Sequence, residues 1–504
     1  MIIAVLVMFV TSLLLVASFT ATRDDTQLSH IDLTQKQAYY AALAGAQEYE
    51  YNLEANPDYW ESCPSPSGNV PGEASEKFEV TTLAAASDPE TAKICNSSKP
   101  FESTIESKPP LTNTFRIKSV GKAGTSTRTV IATFEVTGFL NYIYFTQYEV
   151  ADPKSYSGGE PGCENYAAER EELKRKGQLR SCVEIEFGPE DSVNGPMKTD
   201  DQANICNGAE FGRSSGSVYD PVEIDGGVQD QGNCTGTSEP APIFHTASGK
   251  PTENEPPLVA PESDGSLEAY VESENKFSGL TYLELEGASN EIKVTQGSSS
   301  KKIKWPANGL IYVQHHGSCG YTNFIQTATD TSSTLSSEAN CGNVYVKGTS
   351  SATKSLTIAA EEDLIIDGSI VPAGITPSES HPVAPTGTAT VGLIASSFVR
   401  VYHPCSSGHN QTGTFEKPWI YAAILSTSHS FLVDNYNCGA NLGNLNIYGA
   451  IAQKFRGIVA EASGPGYDKD YIYDERLATD EPPYFLAPLK AGWKIERETA
   501  AKAG

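Results

Sequence analysis

The stretch AEEDLIIDG places Glu361, Glu362, Asp363 and Asp367 close together in sequence. Glycoside hydrolysis needs two carboxylates held about 5 to 9 Å apart across the scissile bond, and these are the best local candidates for such a pair. The same residues also read as a polar strand connection followed by an Asp-Gly turn, and that reading is preferred. In QHHGSCG, His315 and His316 are adjacent, so on a strand they face opposite sides and cannot share a metal. His403, His409 and His429 stand alone. YDKDYIYDE offers Asp468, Asp470, Asp474 and Glu475 as oxygen ligands for calcium, without the glycine and ligand spacing of an EF-hand loop. An exposed acidic turn describes it better. No G-x-S-x-G or P-loop pattern occurs. Asn96 in NSS and Asn410 in NQT match acceptor sequons and carry little weight. The expectation is no catalytic residue, no metal and no cofactor.

The cysteines carry the clearest chemistry, and it is structural. They stand at Cys63, Cys95, Cys163, Cys182, Cys206, Cys234, Cys319, Cys341, Cys405 and Cys438, with no C-x-x-C pair. They fall into five successive neighbours separated by roughly 20 to 35 residues, a spacing suited to local disulfides. Neighbour pairing is therefore expected, although connectivity cannot be deduced from sequence. Such a set indicates an oxidised, extracytoplasmic chain. The alternative is a set of buried thiols packing as small apolar groups.

The elements that must position these residues begin with a helix. Ile2 to Ala21 carries no charge, and about 20 helical residues match the hydrocarbon thickness of a bilayer. Ile2, Val5, Leu13, Leu15 and Ala21 are the expected anchor residues. VASFTA resembles a cleavage site, but no basic residue precedes the apolar run, so a retained anchor is expected over a cleaved signal. From Thr22 to Ala55 there is no proline and only Gly45, and the helix should continue until Asn56-Pro57 stops it. Leu28, Ile31, Gln35, Ala38, Ala42, Gly45 and Tyr49 recur at helical spacing, and the small members would admit a sheet at close range.

A hydrophobic N-terminal helix running into QKQAYYAALAGAQEYEYNL resembles the type IV pilin-like proteins, and more closely the PilX-type pilus assembly proteins. The resemblance implies a single-pass protein with a cytoplasmic N-terminus and an extracellular bulk, with the lipid bilayer and other pilin-like subunits as partners. Major pilins carry Glu at the fifth position, where this chain has Val5.

Beyond the helix, KFEVTTL, NTFRIKSVGKAG and TSTRTVIATFEVTGF alternate polar and apolar residues and predict strands, with GKAG as a hairpin. CENYAAEREELKRKGQLRSC predicts a short charged helix, and the Pro/Glu-rich 249–265 an exposed loop or strap. From Tyr282 onward, short apolar runs bounded by Gly, Asn, Asp or Ser follow one another without long helices. Stacked coils bury such runs continuously. The strand series through YDERL and PPYFL also resembles bacterial surface β-solenoid regions attached to PilX-type anchors.

The expected fold is therefore mostly β with a long N-terminal helix: a pilin-like α+β base followed by a right-handed β-solenoid, with a β-sandwich as the alternative. The expected divisions are helix 1–56, antiparallel sheet 57–140, irregular disulfide-bearing region 141–281, solenoid 282–460 and C-terminal cap 461–504. The net charge of -27 disfavours nucleic acid as a partner. The expected role is a non-enzymatic, membrane-anchored envelope protein, an accessory of a pilus-like assembly or a surface-display component. The alternatives are a tethered carbohydrate-active β-helix enzyme and a glycan-binding adhesin using aromatics such as Tyr402 or Trp419.

Overall fold

The computed structural model describes residues 2–56, 59–73, 75–84, 93–95, 114–136, 138–153, 183–189, 191–215, 218–234, 238, 240–255, 257–320, 338–378, 383–461, 464–478, 480–488 and 493–500. The protein is mostly β with one long N-terminal helix. It divides into two compact units, Met1–Thr137 with Gly492–Gly504, and Gly138–Ala491.

In the first unit, helix α1 runs over Ile2–Ala55, 54 residues without a break, as its proline-free composition requires. Its second half packs on a five-stranded antiparallel sheet ordered Ser67–Asn69, Glu76–Thr82, Thr114–Ala123, Ser126–Val136, Trp493–Ala500. The buried helix face is made of Ala38, Ala41, Ala42, Ala46, Tyr49 and Leu53. Small residues are needed here because the backbones nearly touch. A Cβ on Gly121 would stand 2.0 Å from the Ala38 carbonyl oxygen, and one on Gly45 would stand 2.5 Å from Ser119 Oγ. Tyr49, Trp60, Phe115 and Phe134 then fill the space where helix and sheet diverge. Gln35, the polar member of the stripe, accepts a bond from Arg128 Nη2 at 2.6 Å. Ile31 is exposed, so the docked face starts later than the spacing suggested. The hairpin turns at Gly124, with φ +57°, and Gly121 lies inside the strand instead of in the turn.

The membrane assignment is corrected. Among the described residues, no helix is long and apolar enough to cross a membrane. In the apolar half, the side chains of Met8–Leu13 are all exposed. That run contains Thr11 and Ser12, whose hydroxyls both bond to the Met8 carbonyl. The single-pass localisation falls with it. Of the expected anchor residues, Leu13 is exposed, and the side chains of Ile2, Val5, Leu15 and Ala21 lie outside the described residues.

The second unit is built on parallel ladders. One joins Lys276–Ser278, Leu310–Gln314, Leu356–Ala360, Val391–Ala395, Trp419–Ser426, Asn441–Arg456, Tyr144–Ala151, Met197–Thr199 and Val222–Ile224. Register aligns one buried apolar residue from each of eight successive strands: Ile311, Ile358, Leu393, Ile424, Ile451, Tyr144, Met197 and Val222. A second ladder joins Thr281–Glu286, Val344–Ser350, Leu364–Pro372, Val399–Val401 and Phe431–Val433. A third runs from Asn441–Arg456 through Gly466–Tyr473, Ser192–Asn194, Glu210–Phe211 and Ile243–Phe244. The antiparallel hairpin Glu291–Gln296 with Ser299–Lys304 extends from Thr281–Glu286 and turns Ile292 and Val294 into the core.

The order of strands in space is not the order in sequence. Strands from 276 to 456 come first, and the earlier strands from 144 to 224 stack beyond them. The chain must therefore return along the whole ladder, and residues 253–275 do so. Leu258 N donates to Asp200 Oδ2 at 3.0 Å, Ser428 Oγ to the Glu262 carbonyl at 2.6 Å, and Asn308 Nδ2 to the Tyr270 carbonyl at 2.9 Å. The Pro/Glu-rich segment is thus a strap.

The divisions expected from sequence change accordingly. Residues 141–281 are not separate from 282–460, because 144–151, 197–199 and 222–224 extend the same ladder. Within 461–504, Gly466–Tyr473 belongs to the third ladder and Trp493–Ala500 completes the sheet of the first unit, so this is not one cap.

Candidate functional site

Four expected disulfides form: Cys63–Cys95, Cys206–Cys234, Cys319–Cys341 and Cys405–Cys438. Cys163, Cys182 and the charged helix between them lie outside the described residues.

Of the four carboxylates of AEEDLIIDG, Glu361 and Glu362 both face His315, while Asp363 and Asp367 meet other partners. Glu361 Oε2 accepts the His315 backbone N–H, and Asp367 pairs with Lys347 at 2.9 Å. Asp363 is buried, accepting from Phe398 N at 3.0 Å and facing Arg400 Nε at 3.2 Å. Asp363 lies just before the strand Leu364–Pro372 and is buried, whereas Asp367, within the strand, is half-buried.

Two groups bring three possible metal donors within 4.8 Å: Glu186, Cys206 and Cys234, and His315, Cys319 and Glu362. Neither suits a metal. Their cysteines are half-cystines and offer no thiolate. His315 Nδ1 accepts the Gly342 backbone N–H at 2.9 Å, so the neutral ring carries its proton on Nε2. That nitrogen points towards Glu361 and Glu362 at 3.9 and 3.7 Å as a donor, not as a free ligand.

The acidic turn is also partnered residue by residue. Asp468 accepts from Asn441, Arg476 forks onto both oxygens of Asp474, and Glu475 meets Arg213 at 2.6 Å. Asp470 is raised above the usual carboxylate range by burial, and among the described residues Asp468, Asp470, Asp474 and Glu475 form no group of converging metal donors. Asn410, the second sequon, holds buried His403 Nε2 through Oδ1 at 3.0 Å. Asn96 lies outside the described residues. His316 Nδ1 meets Ser278 Oγ, and His409 is exposed. Trp419 is buried and stacks on Tyr421, while Tyr402 packs edge-on against Tyr345.

Sequence reasoning missed the polar seam where the two parts of the ladder meet. Strand Asn441–Arg456 lies beside Tyr144–Ala151, and Gly466–Tyr473 beside Ser192–Asn194. Arg456 Nη1 meets Glu149 Oε2 at 2.9 Å, His429 Nδ1 meets Asp152 Oδ2 at 2.7 Å, and Lys469 pairs with Asp191 Oδ2. Arg456 also stacks 3.7 Å over the Phe187 ring. Burial raises the Glu149 carboxyl, with Arg456 opposing, and lowers the Lys469 ammonium, with Asp191 opposing. These partners lie 277 to 307 residues apart, and no local pattern announces them.

Two further buried carboxyls hold the strap. Asp200 is pushed up to about 8 by burial, with Lys198 opposing, and it accepts from Leu258 N. Asp264, fully buried, is pushed up to about 7 by burial, and its Oδ1 accepts from Ser396 Oγ at 2.8 Å.

Among the described side chains, an exposed apolar surface lies on α1 between Ile3 and Leu13. Ile3 is 80% exposed and Phe9 69%, and Leu6, Met8, Val10 and Leu13 are exposed as well. Contiguous apolar exposure of this kind marks a contact surface in soluble proteins.

No family model matches the chain, and no curated protein matches it. Among solved structures it aligns with the competence-associated pilin ComZ from Thermus thermophilus, at 12% identity and a TM-score of 0.27, over 93% of this chain and 98% of that one. A likeness that distant decides neither fold nor role.

Proposed function

We propose that the chain is a non-enzymatic structural component of a type IV pilus-like assembly, an accessory or display subunit. The observation that supports this most is the division of α1. Its inner half is docked on an antiparallel sheet through Ala38, Ala42, Gly45 and Tyr49, whereas Ile3, Leu6, Phe9 and Leu13 are exposed. A helix that is apolar beyond its own domain is completed by packing against other helices. In this reading the partners are pilin-like subunits presenting equivalent helices.

The second unit is read as a right-handed β-solenoid, because each strand pairs in parallel with the strand of the next turn and buries its apolar residue over the last. A β-sandwich would instead pair neighbours mainly antiparallel. Catalysis is set aside in this reading because Asp363 and Asp367 pair with Arg400 and Lys347, and Glu361 accepts the His315 backbone N–H.

The test is isolation of native filaments from the source cells with this protein tagged, comparing the natural chain with Phe9→Asp and Leu13→Asp. Co-isolation of the natural chain with filament subunits, and its loss in the variants, supports the proposal. Equal recovery of all three, or no filament association of any, ends it.

A further inference from the structure

The seam contains one pair placed for covalent chemistry. Strands Gly466–Tyr473 and Ser192–Asn194 run parallel with Asp470 opposite Ser192, which sets Lys469 opposite Asp191 at the start of the pairing. Lys469 Nζ is in ion-pair contact with Asp191 Oδ2, and the two side chains are 16% and 12% exposed. Oδ2 also accepts the Gly188 backbone N–H at 2.9 Å, so the carboxyl is held from two directions. The Phe187 ring lies 5.8 Å from Nζ, and Arg456 covers it at 3.7 Å, which limits the water around the pair. Lys469 belongs to the end of the second unit and Asp191 to its beginning, 278 residues apart.

We propose that Lys469 and Asp191 are the site of an intramolecular amide cross-link that closes the seam. The pair already holds every atom the reaction needs. A proton passes from the Lys469 ammonium to the Asp191 carboxylate, giving a neutral amine and a neutral acid. Burial displaces the lysine towards its neutral form. The Nζ lone pair then forms the bond to Cγ, with Gly188 N–H stabilising negative charge on Oδ2. Oδ1 leaves as water with two protons, and Oδ2 remains as the amide oxygen. Ammonium plus carboxylate becomes amide plus water, balanced in atoms and charge, with no oxidant, reductant or activating group. Fixed contact between the groups supplies the proximity that free solutes lack.

The geometry gives the bond a structural consequence. Among the described residues, the strands before 252 are otherwise held to those after 276 by the strap and by noncovalent pairing. With the bond, the two ends of the unit are joined directly at the seam.

The experiment is intact-mass measurement of the full chain, reduced and alkylated so that disulfides do not contribute, followed by peptide mapping. The expected result is a mass deficit of one water and a branched peptide joining the fragments that contain Lys469 and Asp191. Lys469→Arg should restore the full sequence mass. Asp191→Asn should form the same bond by releasing ammonia, and so converge on the natural product. A natural chain of full sequence mass with both peptides linear overturns the proposal, whatever the variants do. A water deficit mapped to another pair overturns it equally.

Discussion

Arg456 and Glu149 meet at 2.9 Å across 307 residues of sequence, with both side chains 2% exposed. The guanidinium also donates to the Ile185 and Glu186 carbonyls, so one side chain ties the last long strand to two earlier segments. A charge this deeply buried is tolerable only while its partners stay in place.

Removing one partner should therefore cost more than removing both. Arg456→Met leaves the Glu149 carboxylate buried and unpaired, and should lose about 3 to 5 kcal/mol of unfolding free energy. Adding Glu149→Leu should recover most of that loss. Denaturant titration of the three proteins checks this, and a double variant as unstable as the single would show that the pair does not act as a unit.

The strap should loosen as pH rises. Asp264 has its folded pKa raised, from the ordinary 3.8 to about 7, by burial and by the nearby Glu361, with the hydrogen bonds of Ser396 and Tyr312 opposing. A carboxyl raised in this way contributes fully below its unfolded value and loses that contribution as pH climbs through the folded one. Between about pH 5 and about pH 8 the natural chain should lose on the order of 2 kcal/mol more than Asp264→Asn. Hydrogen exchange in 258–270 is the local readout. Identical pH profiles for the two proteins would remove Asp264 from the account.

Gly121→Ala tests the docking of α1. Its Cβ would meet backbone atoms of Ala38 and Ala42 at 2.0 and 2.3 Å, which no rotamer change relieves. The expected cost is about 1 to 3 kcal/mol or more, read as a lower melting temperature of the first unit. Gly320→Ala, where nothing lies within 4 Å, is the control and should be close to neutral.

The disulfides should be separable in effect. Replacing Cys405 and Cys438 by serine opens a 33-residue separation and should cost roughly 3 to 4 kcal/mol in the chain-entropy model. Nonreducing peptide mapping should recover all four links described here, and a scrambled pattern would contradict the geometry.

Much of this was legible in the chain. Ala38, Ala42, Gly45 and Tyr49 announced a docked helix face because helical period is local. Neighbouring cysteines paired because short loops close at little entropic cost. The alternation in Glu76–Thr82, and the short apolar runs Leu310–Gln314 and Leu356–Ala360, announced strands for the same local reason. Hydropathy of residues 2–21 proved a poorer guide, since apolar composition does not say whether lipid or another helix covers it.

What the sequence determined by itself were the elements: a long N-terminal helix, many short strands, and cysteines spaced for local disulfides. Each follows from forces acting over a turn of helix, a strand or a short loop. Only the tertiary structure decided that the early strands stack beyond the late ones, that 253–275 is a strap, and that Glu149, Asp152 and Asp191 meet Arg456, His429 and Lys469. Those meetings depend on which strand edges find each other, and edge pairing is a property of the whole packed core that no short window contains.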